Sequence, residues 1–161
     1  MSELNIYIDG ASKGNPGPSG IGVVICRNGE TIKNVSNFIG NTTNNVAEYT
    51  ALIYALEEAL MLKAESIKIN TDSQLLYRQL KKLYKVKSPN IVGLYNQALR
   101  LFSAFKEITL KNITREENKG ADKLATKAIK EQINPVRNPK TPISGSSISN
   151  GEKKERSLKN G

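Results

Sequence analysis

The chain reads as an α/β fold, and three observations predict it. Three strand-like runs joined by turn residues open the chain, a long helix-periodic run follows, and strand-like and helical segments then alternate. With 161 residues, 38% of them hydrophobic, the chain can bury one proper core, which predicts one folded domain.

Alternation of apolar and polar residues predicts a strand from Ile6 to Asp9, where the pattern breaks at an acid and runs into a loop crowded with Gly and Pro. Ile21 to Arg27 and Thr31 to Ile39 read as the second and third strands. Asn28-Gly29 between them favours a type I′ hairpin, so the three should form an antiparallel meander. Asn44 to Leu62 carries Val46, Tyr49, Leu52, Ile53, Leu56 and Leu60 at helical spacing, with Thr42, Thr43 and Asn44 as cap candidates. A strand from Ser66 to Thr71 ends at Asp72, a helix runs from Ser73 to Leu83, and Tyr84 to Asn90 forms a loop. Ile91 to Phe105 reads as a helix, Glu107 to Ile113 as a strand and Lys119 to about Glu131 as the last helix.

Composition shifts near Gln132. Residues 132–161 are rich in Pro, Ser, Asn and Gly and poor in large apolar side chains, so they cannot offset the entropy of ordering and are expected to be a disordered tail behind a domain of residues 1–131. Six bases against two acids make that tail basic. Over the whole chain 24 Lys and Arg face 15 Asp and Glu, a net charge of +9 that points to a polyanionic partner. The lone Cys26 excludes an internal disulfide and fits a reducing compartment. Neither a leader-like start nor a membrane-length apolar run is visible, so a cytoplasmic monomer without membrane contact is expected.

Four acids stand at positions where such a fold can converge them. Asp9 ends the first strand, Glu48 lies one turn into the first long helix, Asp72 ends the fourth strand and Asp122 opens the last helix. If the first and fourth strands are parallel neighbours, Asp9 and Asp72 emerge side by side at their carboxyl ends, where α/β sheets place ligands. Clustered carboxylates need a cation among them, and hard oxygen donors select Mg²⁺ or Mn²⁺. Singly, each acid has a structural explanation: Asp72 as a helix cap, Glu48 as a solvated helix residue, Asp122 as a favourable charge at a helix start. Asp9, breaking an apolar strand with Gly10 beside it, tips the set of four toward a metal centre.

The blocks IDGASKGNPGPSGIGVVI, TTNNVAEYTALIYAL, INTDSQLL and REENKGADKLA together resemble the type 1 ribonuclease H family in order, spacing and identity, from about Leu4 to Ile129. The resemblance implies a ribonuclease H-like fold: a five-stranded mixed sheet of order 3-2-1-4-5, flanked by helices, with the first three strands antiparallel and the fourth and fifth parallel to the first. It implies hydrolysis of the RNA strand of an RNA–DNA hybrid with two Mg²⁺, which Mn²⁺ can replace, held by Asp9, Glu48, Asp72 and Asp122. It implies substrate contacts at Gly10, Asn15, Thr43, Asn44, Asn45, Ser73 and Gln74, amides suiting a 2′-hydroxyl because they both donate and accept.

Two departures stand out. The basic, aromatic insertion that many relatives carry between the second and third helices is reduced here to LYKVKSPN, with Lys81, Lys82, Lys85 and Lys87 left to grip the DNA strand. The chain has no His, so the loop before the last helix offers Glu116, Glu117 and Asn118 where many members place an imidazole. A non-catalytic hybrid-binding module would have lost one of the four acids. Another nuclease of the same superfamily would lack the Asn-Asn and Gly-Pro blocks.

Overall fold

Leu4, Ile6 and Ile8 put one apolar face on the opening strand, which pairs antiparallel with the next. In the computed structural model, which describes residues 3–133, β1 spans Leu4–Ser12, β2 Gly17–Arg27 and β3 Glu30–Thr42. Asn28 and Gly29 both take positive φ, 52° and 80°, as a type I′ hairpin requires. Then follow α1 (Asn44–Met61), β4 (Ser66–Thr71), α2 (Gln74–Leu80), α3 (Pro89–Phe102), β5 (Glu107–Asn112), a 3₁₀ turn at Glu116–Asn118 and α4 (Lys119–Ile133). β4 pairs parallel with both β1 and β5, giving the expected order β3-β2-β1-β4-β5.

Ladder partners share a face of the sheet, so the β1–β2 register decides what each helix meets. Gly10 pairs with Ile21 on the face covered by α1, and Asp9 pairs with Gly22 on the face covered by α4. The core lies under α1, where Ile6, Ile8, Ile21, Val23 and Ile25 meet Tyr49, Leu52 and Leu56, and α3 packs outside it through Ile91 and Ala98. Tyr49 is fully buried, and its hydroxyl donates to Gln79 Oε1 at 2.8 Å, so burial leaves that polar atom satisfied.

Several boundaries differ from expectation: β2 begins at Gly17 rather than Ile21, and β3 runs on to Thr42 rather than stopping at Ile39, because the two strands keep pairing as far as Gly17 and Thr42. β1 does not end at Asp9 but continues to Ser12 against β2, whereas its parallel pairing with β4 stops at Ile8 and Thr71. α2 stops at Leu80 rather than Leu83: Lys82 turns to φ 63°, and the N–H groups of Leu83 and Tyr84 both close on the Arg78 carbonyl. Leu76 and Leu80 are buried while Leu83 is 67% exposed, so another helical turn would gain no packing. α3 starts at Pro89 and ends at Phe102, with Phe105 buried in the turn that follows. α4 runs to Ile133, past the expected domain edge at residue 131.

Among the described residues, those up to Ile129 form one compact unit, and the end of α4 falls outside it. The expected basic tail otherwise lies outside them.

A β-carbon built on Gly22 would sit 2.0 Å from the Ala121 carbonyl oxygen, and both partners are backbone. Gly22→Ala is expected to cost about 1–3 kcal/mol or more, as overpacking does. Gly93, inside α3, has nothing within 4 Å of its hypothetical β-carbon, so Gly93→Ala is expected to stabilise by about 0.5–1 kcal/mol. Urea unfolding midpoints of the two variants should therefore move in opposite directions.

Candidate active site

Asp9 occupies the point where β4 leaves β1 while β2 carries on. Asp72 follows the last residue of β4, so the two carboxyl groups meet at that divergence. Ser73, not Asp72, caps α2: its Oγ accepts from the Leu76 N–H at 3.1 Å, which leaves Asp72 without a capping duty. Thr43 caps α1 in the same way, accepting from the Val46 N–H at 3.2 Å, and sets Glu48 in the second turn facing the sheet. Glu48 is only 4% exposed and accepts from the Gly10 N–H at 3.0 Å, so it is not the solvated helix residue its position alone would suggest.

Asp9, Glu48 and Asp72 each place a carboxylate oxygen within 4.8 Å of the others. Asp122, in the first turn of α4, is not one of those three but acts on Asp9 from α4. Ser36 Oγ donates to the Leu124 carbonyl at 2.6 Å, tying α4 to β3 and thereby fixing where Asp122 stands.

The electrostatics follow from burial. Asp9 is pushed up to about 8, first by loss of water, then by the charges of Asp72 and Asp122 and its hydrogen bond with Asp122, with Arg115 pulling the other way. Burial also raises Glu48 well above the carboxylate range, reinforced by Asp9 and Asp72 and opposed by the Gly10 N–H and Arg115. Close, buried oxygen donors of one sign fit a hard divalent cation, whose charge would take the place of the protons.

Beside Glu48 opens a groove of about 490 Å³ lined by Asn15, Thr43, Asn44, Asn45, Ser73, Leu75, Ser88, Asn90 and Ile91. Five of the sequence-identified contact residues therefore converge there. Gly10 instead serves Glu48 through its N–H, and the exposed Gln74 does not line the groove. Asn15 Oδ1 accepts from the Asn44 N–H at 2.8 Å, and Asn44 Oδ1 accepts from the Ser12 N–H at 3.2 Å. Those bonds staple the Gly-Pro turn to the start of α1 and engage only the oxygens of the two amides.

Several residues, or the roles of residues it named, escaped the sequence reading. Ser88 and Asn90 reach the groove because they begin α3, and the Ser-Pro signal for a helix start says nothing of what the start will face. Arg115 acts on Asp9 and Glu48 from the turn before α4. Asn118, 1% exposed, donates through Nδ2 to the Ile8 carbonyl at 2.9 Å and to Asp72 Oδ2 at 3.2 Å. Glu117, read as loop charge, is a capping-box acid: the Thr114 N–H and hydroxyl both donate to its Oε1, and its own N–H donates to Thr114 Oγ1. Those bonds lower its pKa.

Residues 7–128 match the family described as Reverse transcriptase-like. A bifunctional protein of Mycobacterium tuberculosis is 40% identical over 126 residues, 77% of this chain and 35% of that protein. A ribonuclease HI of Halobacterium salinarum is 36% identical over 127 residues, 78% of this chain and 64% of that protein. The chain thus spans about a third of the first relative's length and under two thirds of the second's. Among solved structures, LC11-RNase H1 in complex with an RNA/DNA hybrid superposes with a TM-score of 0.77 at 39% identity, covering 81% of this chain and 99% of that one.

With Asp9 raised from 3.8 to about 8, the metal-free native state holds a proton that the unfolded chain has lost, so this group's contribution to stability falls as pH rises through that window. Thermal unfolding in EDTA is expected to show a midpoint that declines toward pH 8, a decline lessened by Asp9→Asn, which leaves the buried Glu48 in place, and removed by saturating Mg²⁺. A midpoint that stays level or climbs would mean Asp9 is already ionised in the metal-free fold.

Proposed function

The chain belongs to the type 1 ribonuclease H family, within the Reverse transcriptase-like group matched over residues 7–128, and on that premise we propose that it cleaves the RNA strand of RNA–DNA hybrids. The observation that carries the proposal is the convergence of Asp9, Glu48 and Asp72 beside a groove lined by neutral amides and hydroxyls. In this reading those three acids and Asp122 hold two divalent ions, Mg²⁺ in ordinary use with Mn²⁺ as a substitute. The chemistry such ions supply when bound is activation of water and neutralisation of charge at the scissile phosphate.

The chain's own groups do the rest. The Gly10 N–H orients the Glu48 carboxylate, and the Ser73 hydroxyl holds the start of α2 next to Asp72. With Oδ1 of Asn15 and Asn44 engaged by backbone N–H groups, their Nδ2 donors are left to meet the acceptor oxygens of a substrate, alongside Asn45, Thr43 and the neighbouring Gln74. A ribose 2′-hydroxyl supplies such an acceptor and deoxyribose does not, which is how the groove would select the RNA strand. The exposed bases Lys81, Lys82, Lys85 and Lys87 follow α2 with the exposed Tyr84 among them and would hold the opposite strand by its phosphates. The basic segment beyond residue 133 would add a sequence-independent tether, and hydrolysis by a monomer in the cytoplasm completes the reading.

Hybrid, double-stranded RNA and double-stranded DNA of one sequence, incubated side by side with Mg²⁺, test it. The RNA strand of the hybrid should be cut and the DNA duplex left intact, and equal cutting of both would refute the reading. Asp9→Asn and Asp72→Asn should lower turnover by at least about a hundredfold while the fold is kept, since each removes a metal ligand. Truncation after Ile133 should preserve turnover, weaken hybrid binding and flatten its salt dependence.

A further inference from the structure

We infer that Asn118 is a positioning residue for the carboxylate centre: its one side-chain amide ties together the three segments that carry Asp9, Asp72 and Asp122. The inference rests on the metal-centre reading above and assigns a residue that reading does not use.

Nδ2 of Asn118 lies 2.9 Å from the carbonyl of Ile8, the residue before Asp9, and 3.2 Å from Asp72 Oδ2. The backbone of Asn118 closes the 3₁₀ turn from which α4 starts, one helical turn ahead of Asp122. The contacts bridge 110 and 46 residues of chain, so no local structure supplies them. An NH₂ group has two hydrogens, one for each acceptor. The opposite amide orientation would press Oδ1 against a carbonyl and a carboxylate, so the observed one is the only one that satisfies both partners.

Residue type matters because of charge. An acid at this position would add another negative group to a buried cluster of them, and a Lys or Arg would compete with a metal ion for Asp72. A neutral donor holds Asp72 Oδ2 without neutralising it. Asn118 engages Oδ2 and not Oδ1 of Asp72, so its bond determines which oxygen it leaves open to an ion. Asn118 Oδ1 is itself buried and accepts no hydrogen bond from the described residues. A role limited to packing would be served as well by an apolar side chain, which brings no such orphan into the interior.

The test uses the full chain and reads metal binding without substrate. Mn²⁺ affinity by calorimetry should fall about tenfold in Asn118→Ala, the loss typical when a metal ligand's outer hydrogen-bond partner is removed. In an Asp72→Asn background the same substitution should cost little more, because the group it orients is already altered. On hybrid, kcat should fall with KM unchanged, since Asn118 does not line the groove. Unchanged Mn²⁺ affinity in a folded Asn118→Ala protein would overturn the inference, as would an equal further loss in the Asp72→Asn background. If Asn118→Ala does not fold, Asn118→Ser, which leaves room for a bridging water, is measured in its place, and failure of both to fold would assign Asn118 to folding alone. A wild-type chain that binds Mn²⁺ but cuts no hybrid would refute the proposed substrate and leave the affinity comparison decisive, whereas one that binds no Mn²⁺ would refute the metal centre and this inference together.

Discussion

Backbone meeting backbone at two glycines sets the spacing on which the rest of the structure depends. A β-carbon on Gly10 would fall 2.2 Å from the Ala47 carbonyl carbon, and one on Gly22 would fall 2.0 Å from the Ala121 carbonyl oxygen. Only the absence of a side chain lets α1 close on one face of the β1–β2 ladder and α4 on the other at that range. Glu48 and Asp122 each follow a contacted residue by one position, so the two contacts bring helix-borne acids to Asp9 from opposite sides of the sheet. The Gly10 contact also aims the Gly10 N–H at the Glu48 carboxylate.

That spacing is bought with electrostatic strain. Asp9 and Glu48 are nearly excluded from water beside Asp72, and both are pushed toward their protonated forms as a result. What opposes the repulsion is modest: the Gly10 N–H on Glu48, the more distant Arg115, and the Asn118 amide on Asp72. None of these is a buried cation within the cluster, and the ion pairs of Lys33 with Glu58 and of Lys106 with Glu65 lie elsewhere. A site that holds like charges together while leaving them uncompensated is arranged for a ligand that brings positive charge. The rigidity comes from the surrounding apolar core and the helix caps at Thr43 and Ser73, so the acids need not stabilise the fold they sit in.

The groove obeys the same division of labour. Asn15 and Asn44 spend their oxygens on backbone N–H groups and so hold the Gly-Pro turn against α1. Residues that look like substrate readers are thus also structural staples, and a substitution there would disturb the turn as well as the surface it presents. Glu117 is the converse case: it resembles free loop charge in the sequence but closes a capping box with Thr114.

Periodicity and turn chemistry determine the element order, because strand alternation, the Asn28-Gly29 hairpin and the apolar stripe of α1 are local patterns that burial rewards directly. The four acids are legible too, Asp9 because it interrupts an apolar strand and the others because the accompanying blocks resemble one family. Tertiary structure alone decides where α2 stops, since Leu76 and Leu80 find a core and Leu83 does not. It likewise decides that β1 runs on past Asp9, because β2 continues to offer partners after β4 has left. Ser88, Asn90, Arg115 and Asn118 join the site through contacts between segments far apart in the chain. Their roles depend on distances that sheet order and helix packing create, and no run of neighbouring residues encodes those distances.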